Sequence, residues 1–302
     1  MKESIHKKTT DLIIKQLSEN KRPWTQPWEN KTHLGGSNVN PLRFEGTPYQ
    51  GINIIILWMS SIEHGYSSPY WMTWNQAKKL NAYVRKYEKD DHGTSIMYVS
   101  TGIKEEKIPE TGVVVEHPWW KARSYVVHNA DCIEGLPKHY YAPPVSNIDE
   151  KTRIENVESF IKNTKATIIE GNNKAFYSLN NDSITMPSYS SFHSPEDYYS
   201  TVLHELTHWT AHGSRLSRDL ENYHKDRKSR ANEELIAELG SAYLCASLTI
   251  ELTPREDHSS YIKSWLKAVK EDEHAIFKAA GEAQKAVNYL DNLQPSKKKK
   301  AA

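Results

Sequence analysis

The chain has 302 residues, a net charge of +1, 37% hydrophobic and 25% charged residues. That length allows one large domain or two medium ones. Its longest apolar run, Ile52 to Met59 broken by Asn53, is far short of the roughly 20 residues a membrane-spanning helix needs. The N-terminus lacks the continuous apolar stretch of a secretory signal, so a cytoplasmic protein is expected. Cys132 and Cys245 are the only cysteines and form no CxxC pair. Neither a disulfide framework nor a thiolate zinc site is supported, so any metal site is expected to use histidine and carboxylate.

Residues 4–20 place Ile5, Thr9, Leu12, Ile13 and Leu17 on one helical face. Pro23 and Pro27 then favour an extended segment carrying Trp24 and Trp28. Residues 31–48 are a polar, Gly- and Asn-rich loop, and 51–64 a strongly apolar helix ended by Gly65. Thr73 is placed to cap a short helix through Leu80. Strand-like runs follow at 82–87, 94–100, 113–116 and 123–128, with turns at 90–93 and 109–112. A small, antiparallel sheet is expected there.

A Pro-rich polar stretch over 135–152 puts a domain boundary near residue 145. A helix at 154–164 and a strand at 166–169 come next, then a hairpin of 175–179 with 183–187. Ser194, Pro195 and Glu196 read as an N-cap, a first-position proline and a first-turn acid, opening a helix that runs to about Ala211. Long helices are expected at about 230–250, 258–274 and 275–293. The fold class is therefore α+β, with a domain over 1–145, another over 146–295, and a disordered Lys-rich tail over 296–302. The two parts differ in composition. Residues 1–145 hold 18 Lys+Arg against 15 Asp+Glu, seven of nine tryptophans and nine of seventeen tyrosines, whereas 146–302 hold 21 and 23 charges of each sign. A basic, aromatic N-terminal part suits a polyanion partner.

The helix from Pro195 contains His204-Glu205-Leu206-Thr207-His208. Histidines at i and i+4 share a helix face about 6 Å apart. Two imidazoles so placed can grip one zinc ion, and Glu205 is the candidate general base, taking a proton from a water whose pKa the metal lowers. The flanking Tyr199, Val202, Leu203, Leu206 and Trp209 imply a buried helix, which gives two histidines on it a reason beyond solvation. A third histidine at the longer HExxHxxGxxH spacing is excluded because position 214 is serine. His212, eight residues from His204, lies about 12 Å further along the axis. The remaining candidates are in Asn232-Glu233-Glu234-Leu235-Ile236-Ala237-Glu238. Glu234 is assigned to zinc, with Glu238 as the acid behind a ligand histidine. Glu233 is the runner-up ligand. The strand ending at Pro187 is a candidate edge strand for pairing with an extended peptide substrate, a structural edge being the equal alternative.

Aromatic and basic residues alternate at Lys21-Arg22-Pro23-Trp24, at Tyr83-Val84-Arg85-Lys86-Tyr87 and at Trp119-Trp120-Lys121-Ala122-Arg123. Rings that stack bases beside cations that meet phosphates suit single-stranded DNA better than a duplex. The candidate contacts are Trp24, Trp28, Trp71, Trp74, Arg85, Lys86, Trp120, Lys121 and Arg123.

The chain resembles the ArdC-type antirestriction proteins of conjugative plasmids along nearly its whole length. Tyr49-Gln50-Gly51-Ile52-Asn53 with Leu57-Trp58 looks like that family's YxGIN…LW motif. Gly65-Tyr66-Ser67-Ser68-Pro69-Tyr70-Trp71-Met72-Thr73, then Gln76-Ala77, looks like GYxSPxWMTxxQA. Val84-Arg85-Lys86 and Glu88-Lys89 match VRKGEKG in part, with Tyr87 and Asp90 in place of its glycines. Tyr125-Val126-Val127-His128-Asn129 with Gly135-Leu136-Pro137 resembles the end of that domain. His204 to Thr210, Ser214-Arg215-Leu216 and Glu233 to Gly240 match the family's metallopeptidase signature. The resemblance implies an N-terminal single-strand DNA-binding domain, a C-terminal zinc metallopeptidase-like domain, and protection of incoming plasmid DNA from host restriction. Two alternatives stand beside it: a DNA-guided protease acting on a DNA-bound protein substrate, and a DNA-binding protein whose zinc is structural.

Overall fold

The computed structural model describes residues 5–19, 21–24, 40–85, 93–107, 114–141, 149–220, 222–223, 225–250 and 258–295; within these, the side chains of 99–102, 105–107, 114–122 and 258–261 are not described. The first half of the loop expected at 31–48, the turn at 109–112, most of the turn at 90–93, the boundary near 145 and the tail fall outside them. Among the described residues no helix is long and apolar enough to cross a membrane.

The N-terminal part begins with α1 (Ile5–Ser18), which buries Thr9, Thr10, Ile13 and Leu17. After β1 (Leu42–Arg43) comes α2 (Ile52–His64), whose residues 54–60 are all buried. An unbroken buried run means that this central stretch of α2 is covered on every side, while its last turn is exposed. β2 (Tyr70–Met72) leads to α3 (Trp74–Lys79), where Thr73 and Gln76 form a reciprocal capping box. β3 (Tyr83–Val84) is shorter than the 82–87 expected.

β4 (Thr94–Lys107) and β5 (Val114–Asn129) pair antiparallel over their full shared length, from Thr94↔Val127 to Lys107↔Val114. The two runs expected at 113–116 and 123–128 are one strand. The ladder to β4 carries the backbone through residues 117–122, which local patterning alone leaves open. β6 (Ile133–Glu134) pairs with β3, and the main sheet has the order β1-β2-β5-β4. β1 and β2 run parallel, so the sheet is mixed rather than purely antiparallel.

The C-terminal part opens with α4 (Glu150–Thr164), capped by Asp149, then β7 (Thr167–Glu170), β8 (Phe176–Ser178) and β9 (Ser183–Met186). The order is β7-β9-β8, with β9 parallel to β7 and antiparallel to β8. β9 is therefore the central strand, and its backbone is used on both sides. The expectation of an edge strand at 183–187 is corrected: the edges are β7 and β8, because β7 returns parallel beside β9, a long-range pairing that hairpin signals do not report.

α5 (Pro195–Trp209) starts at Ser194, whose hydroxyl accepts from the Asp197 N–H at 3.1 Å. Residues 199–209 of α5 are all buried. α6 (Arg227–Leu248) packs against α5, against α7 (His258–Glu271) and against α8 (Ala275–Asn292). One apolar core joins both parts of the chain. It includes Ile13, Trp24, Ile55 and Trp58 together with Leu206, Leu239, Tyr243, Trp265 and Leu290. Gly51 sits at this junction with φ 58° and ψ −136°, a conformation that side chains disfavour. Its N–H donates to Gln284 at 2.8 Å and its carbonyl accepts from the Tyr243 hydroxyl at 3.0 Å.

Candidate functional site

α5 and α6 pack directly against each other. Ser241 donates to the Ser200 carbonyl at 2.9 Å, and Gly240 faces Thr207. That closeness brings the acids of α6 onto the histidine face of α5. Nε2 of His204 and Nε2 of His208 are 3.2 Å apart. Glu234 places Oε2 3.6 Å from His204 Nε2 and Oε1 3.8 Å from His208 Nε2. Ligand atoms held tetrahedrally at about 2.0–2.1 Å from zinc stand about 3.3 Å from one another. The three donors approximate that triangle, and His204, His208 and Glu234 are the one group of three or more that could hold a metal among the described residues.

The charges around the triangle also fit a cation. Glu205, Glu233, Glu234 and Glu238 are all buried, and the guanidiniums beside them belong to Arg22 and Arg218. Among the described residues, these four carboxylates and two guanidiniums carry a formal charge of −2, which one divalent ion would neutralise.

Glu233 is not in the triangle. Its carboxylate faces His208 Nδ1 at 3.0 Å and accepts from Arg218 Nε at 3.0 Å and Nη2 at 2.8 Å. A carboxylate there fixes the His208 tautomer with Nδ1–H outward and the Nε2 lone pair toward the metal position. Burial opposes a charge on His208, but the Glu233 hydrogen bond and the Glu234, Glu233 and Glu205 carboxylates outweigh it and raise its pKa. Burial likewise opposes ionisation of Glu233, and the His208 and Arg218 hydrogen bonds win, holding it below the usual carboxylate range. Glu234 follows the same balance: burial is overcome by the His204 hydrogen bond and by the charges of His208 and His204. Both acids are thus kept as anions, the form a cation requires.

Glu238 lies behind the other histidine, with Oε2 3.9 Å from His204 Nδ1. The segment after α5 closes the site from one side. Arg218 reaches from it to the Thr207 carbonyl at 2.8 Å and to Thr210 Oγ1 at 2.8 Å. The Tyr223 hydroxyl donates to Glu234 Oε1, and its ring stands edge-on to His208 at 6.1 Å. His212 turns away and bonds Ser214 at 2.8 Å, in keeping with its displacement along the helix axis.

The aromatic candidates divide in two. Trp24 and Trp71 are each 1% exposed. Neither offers a ring face to a base, so the expectation that they stack on DNA is corrected. Trp24 packs edge-on against Trp265 at 5.7 Å, and Trp71 against Tyr66 at 5.6 Å. The apolar ring area gains more from the shared core than from a partly solvated platform. Trp74 is 53% exposed with Lys78 over its ring at 5.3 Å. Arg85 is exposed but engaged, donating to the Asp131 carbonyl and lying 3.5 Å from Glu134. Arg123 is exposed on β5. Trp28 and Lys86 fall outside the described residues, as do the side chains of Trp120 and Lys121.

Two residues that sequence reasoning passed over stand beside Arg123. Tyr98 lies directly across the ladder from Arg123, and Tyr125 is two residues further along the same face. Both rings are exposed, at 53% and 41%, and meet edge-on at 6.3 Å. Period-two alternation on β5 carries the signal for Tyr125, but Tyr98 joins it only once the register is known.

A family model described as a zincin-like metallopeptidase matches residues 155–282, and the N-terminal domain of anti-restriction factor ArdC matches residues 3–127. The metal-free crystal structure of antirestriction protein ArdC from the R388 plasmid superposes with a TM-score of 0.76 at 39% identity, covering 96% of this chain and 98% of that one. The chain belongs to the ArdC antirestriction family.

The Mn(II)-bound structure of the same ArdC superposes with a TM-score of 0.75 at 38% identity over 96% of this chain and 98% of that one. The uncharacterized protein y4eC of Sinorhizobium fredii is 31% identical over 294 residues, which make up 96% of this chain and 92% of y4eC. A DNA primase TraC of Escherichia coli is 34% identical over 306 residues, covering 96% of this chain. The chain spans only 20% of that primase's length, and 27% of a second TraC that is 35% identical. In this ArdC-family chain the zincin-like match contains His204, Glu205, His208, Glu233, Glu234 and Glu238, while Arg22 and Trp24, which touch Glu238, lie in the match to the ArdC N-terminal domain.

Proposed function

We propose that this protein protects incoming DNA from restriction by binding it as a single strand through its N-terminal part, and that its C-terminal part is a zinc-dependent hydrolase of peptide bonds. The observation that carries the metal half is the buried donor triangle of His204, His208 and Glu234 with a glutamate next to the first histidine. When bound, zinc would supply a Lewis acid that lowers the pKa of water and polarises a carbonyl. His204, His208 and Glu234 would hold the ion. Glu205 would take the proton from the attacking water and return it to the leaving amine. Glu233 and Glu238 would keep the two imidazoles oriented. A glutamate at position 205 favours hydrolysis over a purely structural metal, which has no use for a base. β8 packs beside α5 and leaves one edge unpaired within its sheet, so it is the strand we assign to align an extended peptide.

The DNA half rests on Tyr98, Arg123 and Tyr125, one face of the β4–β5 hairpin. Each stacked base contributes about 1–3 kcal/mol. Tyr98→Ala and Tyr125→Ala are each expected to weaken binding of a short single-stranded oligonucleotide by about 5- to 150-fold at fixed salt, read by fluorescence anisotropy. Unchanged affinity in both would move the interface off this face.

The functional test is plasmid transfer into a restricting host at matched expression. Wild type is expected to raise transfer and the Tyr98→Ala, Tyr125→Ala double variant to lose that effect. Glu205→Gln separates the two halves. Its failure to protect would make hydrolysis part of protection, and full protection would assign that task to the DNA surface and hydrolysis to a separate protein target. No gain from wild type would remove the antirestriction reading.

A further inference from the structure

The carboxylate of Glu238 divides its two oxygens between distant parts of the chain. Oε2 faces His204 Nδ1 at 3.9 Å. Oε1 accepts from Arg22 Nη1 at 2.7 Å and from Trp24 Nε1 at 3.2 Å. Arg22 and Trp24 are more than 200 residues away in sequence and belong to the segment after α1, not to the zincin-like part. All three side chains are buried: Glu238 is 1% exposed, Arg22 9% and Trp24 1%.

We propose that Arg22 and Trp24 are positioning residues of the metal centre, acting on His204 through Glu238. A buried carboxylate with two lone-pair-bearing oxygens needs donors on both. With Arg22 and Trp24 on Oε1, rotation of the group is restrained in the orientation that turns Oε2 toward His204 Nδ1. The Arg22 guanidinium also supplies the counter-charge that a buried anion needs beside a region already rich in carboxylates. Trp24 is itself fixed by its edge-on contact with Trp265 on α7. The metal centre of this protein is therefore completed by its N-terminal part. Orienting groups behind a ligand histidine typically change metal affinity 10- to 100-fold.

This inference rests on the metal site proposed above, and the experiment separates the two. Zinc affinity of the full chain is measured by competition with a chromophoric chelator, and the Co(II)-loaded protein gives the visible spectrum of the ligand field. Arg22→Gln is expected to lower zinc affinity about 10- to 100-fold and to shift the Co(II) bands. Arg22→Lys, which keeps the charge, is expected to recover part of the affinity. Trp24→Phe, which keeps the ring against Trp265 and removes one donor, is expected to lose several-fold. The decisive comparison is non-additivity. If Arg22 works through Glu238, the Arg22→Gln, Glu238→Gln double variant binds zinc no more weakly than Glu238→Gln alone. Losses that add, or wild-type affinity with an unchanged Co(II) spectrum in both Arg22→Gln and Trp24→Phe, overturn the inference. If Arg22→Gln does not fold, Arg22→Lys and Trp24→Phe carry the same comparison. A wild-type chain that takes up no zinc would instead overturn the metal site itself.

Discussion

Glu234→Gln is expected to lower zinc affinity by at least 10- to 100-fold, the range already lost when only an orienting partner is removed. The substitution keeps the side chain's size and its hydrogen bond from Tyr223, but deletes the charge that faces both imidazoles. Glu234 is the acid that, among the described residues, completes a metal-holding group with both histidines, its two oxygens lying 3.6 and 3.8 Å from the Nε2 atoms. Glu233 cannot replace it without giving up His208 Nδ1 and Arg218, which it holds at 3.0 and 2.8 Å. Zinc content after dialysis and competition with a chelator checks the expectation. Stoichiometric, tightly held zinc in Glu234→Gln would transfer the ligand role to Glu233.

Gly240→Ala is expected to damage both stability and metal affinity, although no ligand is touched. A Cβ at 240 would lie 2.6 Å from Thr207 Cγ2 and 2.7 Å from its Oγ1. Thr207 is buried and its hydroxyl donates to the Leu203 carbonyl at 2.9 Å, so it has little freedom to yield. The relief must come from α6 moving away from α5. Overpacking of this kind costs about 1–3 kcal/mol, a fall in melting temperature of several degrees for a chain of this size. Because Glu234 and Glu238 ride on α6 while both histidines ride on α5, the same shift pulls the donors apart. Thr207→Ala removes the two nearest atoms, so adding it to Gly240→Ala is expected to restore much of the zinc affinity. A Gly240→Ala protein with unaltered melting temperature and zinc affinity would show that the interhelical distance has slack.

The histidine pair was legible because i and i+4 on a helix is local geometry, requiring only that α5 form. The same holds for Glu234 and Glu238 on α6, and for the capping residues Thr73 and Ser194. The roles among the acids were less legible. Glu233 and Glu234 are adjacent, and only the rotation of α6 against α5 decides which one faces the Nε2 atoms and which one faces Nδ1. Arg218 and Tyr223 lie in an irregular segment with no period to mark them, yet they hold those two carboxylates.

The N-terminal part shows the opposite balance. Composition identified an aromatic and basic half, but a tryptophan in sequence does not declare whether its ring is core or platform. Trp24 and Trp71 went to the core, because the joined apolar surface of α1, α2, α6 and α7 could bury them, while Tyr98 and Tyr125 were placed on the open face by a strand register set over fourteen paired positions. The family, the α+β class, the helix carrying His204, Glu205 and His208, and the acidic stretch opposite it were determined by the sequence itself, through motifs and short periods that need no partner. The divided use of Glu238, the central position of β9 and the face carrying Tyr98, Arg123 and Tyr125 were decided by tertiary structure alone. Each depends on a contact between residues far apart in the chain, and local propensity carries no record of such contacts.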